Sequence, residues 1–278
     1  MTVTGGSVYN LASANTISTP VNIGTVIKGY SNAKSNLSIS NTGPVGSYTE
    51  GLNASFATVD ANLIGTGSIT NLAVGSPDTS MVAGLNTSIV GPKNGVLHVN
   101  LASNGSLSGL TNTDLATQDI NVTGTVLDHS KGSFNLTSHV VVTDANFGRV
   151  NVHSGTKSIE ITLFNMNVTP GYTAGLAYVS GADNDLPFTI DSMTSLTNLA
   201  AGDAEGYKFN VFLNTDTAGD FTGAFTITLG DQSDIAGHLE DQSIQINVSG
   251  SVVVPEPATM GLLLIGGLGL LARRRRKA

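Results

Sequence analysis

Residues 157–163 read Lys-Ser-Ile-Glu-Ile-Thr-Leu, with apolar side chains at alternate positions and polar ones between them. The same alternation recurs in Tyr-Lys-Phe-Asn-Val-Phe-Leu at 207–213 and in Phe-Thr-Ile-Thr-Leu at 225–229. A period of two puts successive side chains on opposite faces of an extended chain. Each segment therefore predicts a strand buried on one face, and the fold class is predicted to be all-β.

The body of the chain contains the same plan twice. Asn-Ile-Gly-Thr-Val at residues 22–26 returns 124 residues later as Asn-Phe-Gly-Arg-Val at 146–150. Four further short matches follow in the same order, and their offset drifts only from 124 to 128. Leu-His-Val-Asn-Leu at 97–101 stands where 225–229 stands in the second copy, so the buried positions are predicted to match as well. A fixed internal period of this kind indicates two copies of one structural unit.

Each copy has about seven short predicted strands separated by turns rich in Gly, Asn, Asp and Ser, which predicts two tandem immunoglobulin-like β-sandwiches. The sequence Asn-x-Gly-x-Val at 22–26, then a strand, then Asn-Thr-Gly at 41–43 resembles the choice-of-anchor and Hydin-type Ig-like modules of bacterial surface proteins. The second copy keeps Asn165 but continues with Met-Asn, so the resemblance is looser there.

The C-terminus has three parts in a fixed order: an acidic break between prolines, an uncharged apolar segment and a basic cluster. The apolar segment, residues 258–272, would form a helix about 22 Å long. That is shorter than the roughly 30 Å hydrocarbon core, but flanking Arg and Lys side chains can extend their charges outward. A single transmembrane helix is therefore predicted, and a buried core helix is the alternative. The three parts are Pro255, Glu256 and Pro257, then Ala258 to Ala272, then Arg273, Arg274, Arg275, Arg276 and Lys277.

This order of parts resembles the PEP-CTERM sorting signal of Gram-negative bacteria. The resemblance implies an exosortase as a transient partner, cleavage near the Pro-Glu-Pro motif, and a setting of exopolysaccharide and biofilm production. The positive-inside rule predicts a cytoplasmic C-terminus, with the tail in the inner membrane and the body in the periplasm. After processing, the body is expected at the cell surface or in the extracellular matrix.

Composition excludes several classes of function. The chain has 278 residues and neither Cys nor Trp, so disulfides, thiol catalysis and cysteine-based metal sites are excluded. Without the terminal basic cluster and Glu256, seven basic residues face 19 acidic ones, a net charge of −12. Nucleic acid is therefore not expected as a partner, because binding of phosphate needs a basic face.

The predicted organisation is residues 1–20, repeat 1 over 21–128, repeat 2 over 129–253 and the sorting signal over 254–278. Val-Thr-Gly at residues 3–5 resembles residues 122–124 at the end of the first copy. Residues 1–20 are therefore interpreted as the end of a truncated upstream repeat, with an incomplete N-terminus and no visible signal peptide. A genuine start at Met1, in a pseudogene product or with an unrecognised export route, is the alternative.

The sequence shows no catalytic constellation and predicts no cofactor. The five histidines have no metal-ligand spacing. Acidic turns at Asp183, Asp185, Asp216 and Asp220 are weak calcium candidates, and solvated turn residues are the favoured interpretation. A structural or adhesive surface protein that is not an enzyme is the leading hypothesis. A matrix-polysaccharide-binding module is the alternative, and a hydrolase with an unrecognised site ranks below both.

Overall fold

The computed structural model describes residues 6–181 and 186–255, and throughout these ranges the regular structure consists of β-strands. No helix in this part of the chain is long and apolar enough to span a membrane. The described residues form two compact units. One comprises residues 6–130, 167–175 and 231–239, and the other comprises residues 131–166, 176–181, 186–230 and 240–255.

The first unit contains strands β1 to β11. Its larger sheet has the order β1-β11-β9-β4-β6, with β10 paired to β9, and a smaller sheet has the order β2-β8-β5. β1 runs parallel to β11, whereas the other pairs in these sheets are antiparallel. The strands are β1 (Val21–Ile27), β2 (Lys34–Asn36), β3 (Ile39–Ser40), β4 (Gly51–Phe56), β5 (Leu63–Thr66), β6 (Ser68–Leu72), β7 (Pro77–Asp78), β8 (Val82–Leu85), β9 (Gly91–Asn104), β10 (Thr113–Asp114) and β11 (Gln118–Leu127).

The second unit is built around strands β12 to β19. One sheet has the order β12-β14-β17-β16 and the other has the order β13-β19-β18-β15, with β13 parallel to β19. The strands are β12 (Gly132–Ser133), β13 (Val142–Asn151), β14 (Lys157–Asn165), β15 (Leu176–Gly181), β16 (Phe188–Ile190), β17 (Tyr207–Leu213), β18 (Gly219–Asp231) and β19 (Gln242–Val253).

Both units have the strand order of an immunoglobulin-like sandwich, in which a strand near the start of the unit runs parallel to its last strand. The predicted core positions are confirmed. Leu97, Val99 and Leu101 on β9 are at most 4% exposed, and the corresponding side chains of β18 are at most 1% exposed. The first unit has eleven strands and not the predicted number of about seven, mainly because β3, β7 and β10 are two residues long, too short for a periodic pattern.

The repeated Asn-x-Gly encodes a β-bulge in each unit. Oδ1 of Asn22 accepts a hydrogen bond from the N–H of Gly24 at 2.9 Å, and Oδ1 of Asn146 accepts one from Gly148 at 2.8 Å. Both glycines have positive φ, 79° and 64°, and the register of both parallel pairs shifts at this point. Glycine is required because L side chains rarely adopt this conformation.

Residues 10–17, predicted to end an upstream repeat, belong to the first unit itself. The N–H of Asn10 donates to the carbonyl of Tyr48 at 2.8 Å, and the side chains of Ala12 and Ile17 are buried in the core. Asp128 makes the corresponding bond to Tyr172 at 2.7 Å. The segment was misplaced because isolated bridges leave no alternating pattern in sequence. The upstream copy itself stays a prediction.

Candidate functional sites

The sorting signal begins directly beyond the last strand. The carbonyl of Val253, at the end of β19, accepts a hydrogen bond from the N–H of Val152 at 2.9 Å, and Val252 is 2% exposed. Val254 is already 65% exposed. The rest of the predicted signal after Pro255, including Glu256, Pro257, the membrane segment and the basic cluster, lies outside the described residues. The folded body therefore reaches the Pro-Glu-Pro motif without an intervening linker.

The calcium candidates do not form a site within the part of the chain that the structure describes. Asp183 and Asp185 lie outside that part. Asp216 and Asp220 are exposed, and an oxygen of Asp216 is 4.0 Å from Nδ1 of His153. In residues 6–181 and 186–255, no three His, Asp or Glu side chains are grouped so that they could hold a metal ion.

Two buried asparagines, Asn41 and Asn165, occupy equivalent positions in the two repeats. Each one holds the N-terminal segment of its unit to the neighbouring strands. Asn41 is fully buried, and its Nδ2 donates to the carbonyls of Glu50 and Leu72 at 2.9 and 3.1 Å. Its Oδ1 accepts from the N–H groups of Ser13 and Gly43 at 3.2 and 3.1 Å. The bonds to Ser13 and Leu72 connect Asn41 to segments 28 and 31 residues away in sequence, so the side chain is a structural crosslink.

Asn165 makes the same kind of connection in the second unit. Its Nδ2 donates to the carbonyl of Leu199 at 2.9 Å, and its Oδ1 accepts from the N–H of Lys131 at 2.9 Å. Like Asn41, it is fully buried. Both asparagines stand at the first position of the Asn-x-x motif shared by the repeats, and these crosslinks are the physical reason for an asparagine there.

Two buried carboxylates, those of Glu50 and Asp231, have structural roles that their local sequence does not indicate. Oε2 of Glu50 accepts from the hydroxyl of Ser103 at 2.7 Å, while Oε1 accepts from the hydroxyl of Ser108. Oγ of Ser103 in turn accepts from the N–H of Ala12 at 2.7 Å. Glu50 is 3% exposed. Its carboxylate therefore has a structural role, because it binds Ser103, which in turn binds the N-terminal segment at Ala12.

Asp231 occupies the position equivalent to Ser103. Its carboxylate accepts from the N–H groups of Ser130 and Leu239 at 2.7 and 3.0 Å and lies 2.8 Å from Nδ1 of His129. One signal could have revealed both sites, because Ser103 and Asp231 continue the inward phase of β9 and β18. A polar residue at a buried position of a strand requires a partner.

A polar groove lies on the outer face of the sheet in the first unit. It has a volume of about 410 Å³. The side chains of Ser55, Ser68, Thr70, Asn100 and Asp114 have no hydrogen-bond partner among the described residues. Asp114 is the one charged side chain in the lining, which comprises Asn53, Ala54, Ser55, Ser68, Ile69, Thr70, Asn100, Leu101, Ala102, Asn112 and Asp114.

The family comparison identifies the C-terminal signal. Residues 253–277 match the family model described as the PEP-CTERM protein-sorting motif. This motif implies export, membrane association and processing by an exosortase. The match covers the tail alone, and a search of curated proteins gave no match.

Several solved structures cover most of the chain at low similarity. One is a protein of unknown function from Porphyromonas gingivalis W83, with 10% identity, 86% of this chain and 99% of that chain covered, and a TM-score of 0.29. The D00-D0 domain of intimin has 13% identity, coverages of 83% and 98%, and a TM-score of 0.29. CfaE, the adhesive subunit of CFA/I fimbria of enterotoxigenic Escherichia coli, has 14% identity, coverages of 90% and 90%, and a TM-score of 0.27. At these TM-scores the likenesses carry no functional argument.

Proposed function

We propose that this chain is a structural or adhesive protein of the cell surface or extracellular matrix, cleaved from its membrane tail by an exosortase. The observation that carries the proposal is the sorting motif at residues 253–277, which follows directly on two all-β units. Tandem sandwich modules place a binding surface at a distance from the point of attachment, and the tail determines where they are delivered. Biofilm and exopolysaccharide are the proposed setting.

We propose further that the body is not an enzyme. Hydrolysis of a glycoside by the common mechanism needs two carboxyl groups about 5–10 Å apart in one cleft. The polar groove holds the carboxylate of Asp114 alone, and a cavity in the second unit holds that of Asp216 alone. Glu50 and Asp231 are engaged in hydrogen bonds to the protein. The described carboxylates therefore suit structural roles better than acid–base catalysis.

Mass spectrometry of the C-terminal peptide, taken from membrane and extracellular fractions of the source cells, tests the proposed sorting. A peptide that ends near Pro255 to Pro257 in the surface or released fraction is the expected result. Glu256→Ala should reduce that peptide and retain the protein in the membrane, while Glu240→Ala, outside the motif, should leave processing unchanged. An intact tail through Ala278, found only in the inner membrane, would show that the apolar segment is a permanent anchor.

Binding of matrix polysaccharide is a second candidate, and the polar groove favours it. Hydroxyl and amide side chains from β4, β6 and β9 converge there, and they can donate to and accept from sugar hydroxyls. The lining has no Lys or Arg, so a neutral polysaccharide fits better than an anionic one. Affinity electrophoresis in a neutral matrix polysaccharide should show retardation that Asn100→Ala reduces and Thr228→Ala, on the second unit, does not. Equal retardation of both variants would rule out polysaccharide binding at the polar groove.

A further inference from the structure

One end of the second unit, here called the exit pole, surrounds the point at which the chain leaves β19. It consists of residues 151–157, 186–187 and 214–221 together with Val254. Gly219 at the start of β18 pairs with Val252, which brings this loop beside the end of β19. The loops are connected to one another, because the N–H of His153 donates to the carbonyl of Thr215 at 2.8 Å. The N–H of Asn214 likewise donates to the carbonyl of Pro187 at 3.0 Å.

Among the described residues of the second unit, the exit pole carries the most exposed large apolar side chains. Leu186 is 80% exposed and Val254 is 65% exposed, whereas Val141, just before β13, and Val142, at its start, are 37% and 47% exposed. A cavity of about 300 Å³ opens beside Leu186, and Pro187 and Phe221 form its apolar wall. Exposed apolar surface concentrated at one end of a module marks a contact surface.

The length of the tether limits how far this pole can lie from the membrane. Val253 is the last strand residue, and the apolar segment begins five residues later at Ala258. Five extended residues span at most about 18 Å. The polar layer on each side of the hydrocarbon core is about 5–8 Å thick. While the apolar segment is in the membrane, the exit pole therefore lies within about 18 Å of the hydrocarbon boundary, in the headgroup layer or at most about 10–13 Å beyond it.

We propose that the exit pole rests on the lipid headgroup surface before processing, with Leu186 and Val254 among the headgroups. This inference depends on the membrane step of the proposed function. Charges at the pole are mixed, since Lys157 lies in the same group of loops as Asp216 and Asp220. A zwitterionic surface therefore suffices, and an anionic lipid is not required. The contact holds the second unit in a defined orientation at the site where the exosortase cleaves.

The absence of cysteine from the chain makes a direct test practical. A fluorophore is attached to Thr217→Cys at the exit pole in the full-length chain, reconstituted into phosphatidylcholine vesicles. The matched control is Ser243→Cys, an exposed position ten residues before Val253 on β19 and so about 33 Å away along the strand. A nitroxide on the lipid headgroup quenches fluorophores that lie in the headgroup layer. We expect at least threefold stronger quenching at Thr217→Cys than at Ser243→Cys.

Equal quenching at the two positions would overturn the proposal, because the pole would then have no preferred contact with the membrane. Adding Leu186→Ser to the Thr217→Cys chain should reduce quenching at least twofold, and unchanged quenching would also count against it. Flotation of the same vesicles separates this failure from failure of the proposed function. A chain that does not float has no membrane-inserted tail, whereas a chain that floats with equal quenching refutes the exit-pole contact alone.

Discussion

Replacing Asn41 by leucine should destabilise the first unit and leave the second unit unaffected. Leucine has a similar volume but neither donates nor accepts hydrogen bonds. The substitution therefore removes the partners of four backbone groups, namely the carbonyls of Glu50 and Leu72 and the N–H groups of Ser13 and Gly43. Because Asn41 is fully buried, water does not replace the lost partners without rearrangement of the core.

The expected loss of stability is about 3–4 kcal/mol. A buried polar group that loses its partner costs about 1–3 kcal/mol, and the lower limit applies where neighbouring groups relax towards new partners. Four groups at about 1 kcal/mol each give the estimate. Since each 1.4 kcal/mol is about a tenfold change in an equilibrium constant, opening of the first unit should become about 100- to 1000-fold more frequent.

Hydrogen exchange followed by mass spectrometry measures this change separately for each unit, in a chain ending at Val254 that keeps every described strand. Peptides from β4 and β9 should exchange about 100-fold faster or more in Asn41→Leu, and peptides from β17 and β18 should not change. Asn165→Leu is the matched variant and should produce the opposite pattern. Asn100→Ala, an exposed residue, should change neither. Less than about fivefold acceleration in the first unit would refute the assignment of Asn41 as a crosslink.

Three further predictions concern the first unit. Gly67→Ala should lower its Tm by about 5 °C or more relative to Gly75→Ala in calorimetry, since both glycines have positive φ but a Cβ at Gly67 would collide with the carbonyl of Ser80. Ser103→Ala should cost about 2–3 kcal/mol in urea denaturation, because Oε2 of Glu50 and the N–H of Ala12 lose their partner, whereas exposed Ser106→Ala should cost under about 0.5 kcal/mol. The side chain and N–H of Ser80 donate to Asp78 and hold the pKa of its carboxyl below the usual range, so NMR titration should show that Ser80→Ala raises this pKa. The lowered pKa favours the folded state above the pKa of the unfolded chain, and this contribution should disappear as the pH falls through the folded-state pKa.

Much of the sandwich could be predicted from local pattern. Residues 225–229 have an alternation that forms a buried strand face wherever the segment is placed, and the repeat at 97–101 fixes the same face in the first unit. Asn22 and Asn146 each hydrogen-bond to a residue two positions on, so their bulges are also local features. Residues 10–17 were misassigned because their pairing depends on residues more than 20 positions away.

The candidate sites also divide into those that local sequence reveals and those that depend on contacts between distant residues. The sorting motif is contiguous, so the sequence was sufficient to find it, and the family comparison agrees. The contact of Asp231 with His129 joins residues 102 positions apart, so no local spacing pattern indicates it. A buried carboxylate is recognised only when its donors are known, and those donors come from other strands.

The sequence by itself determined the all-β class, the duplication and the C-terminal sorting signal, because each depends on periodicity or contiguous residues. Only the tertiary structure decided which polar side chains are buried as crosslinks and which form the polar groove. It also decided that Leu186 lies on the loops beside the end of β19. These properties depend on which strands become neighbours. That choice is made by packing of the whole core, and no short window of sequence encodes it.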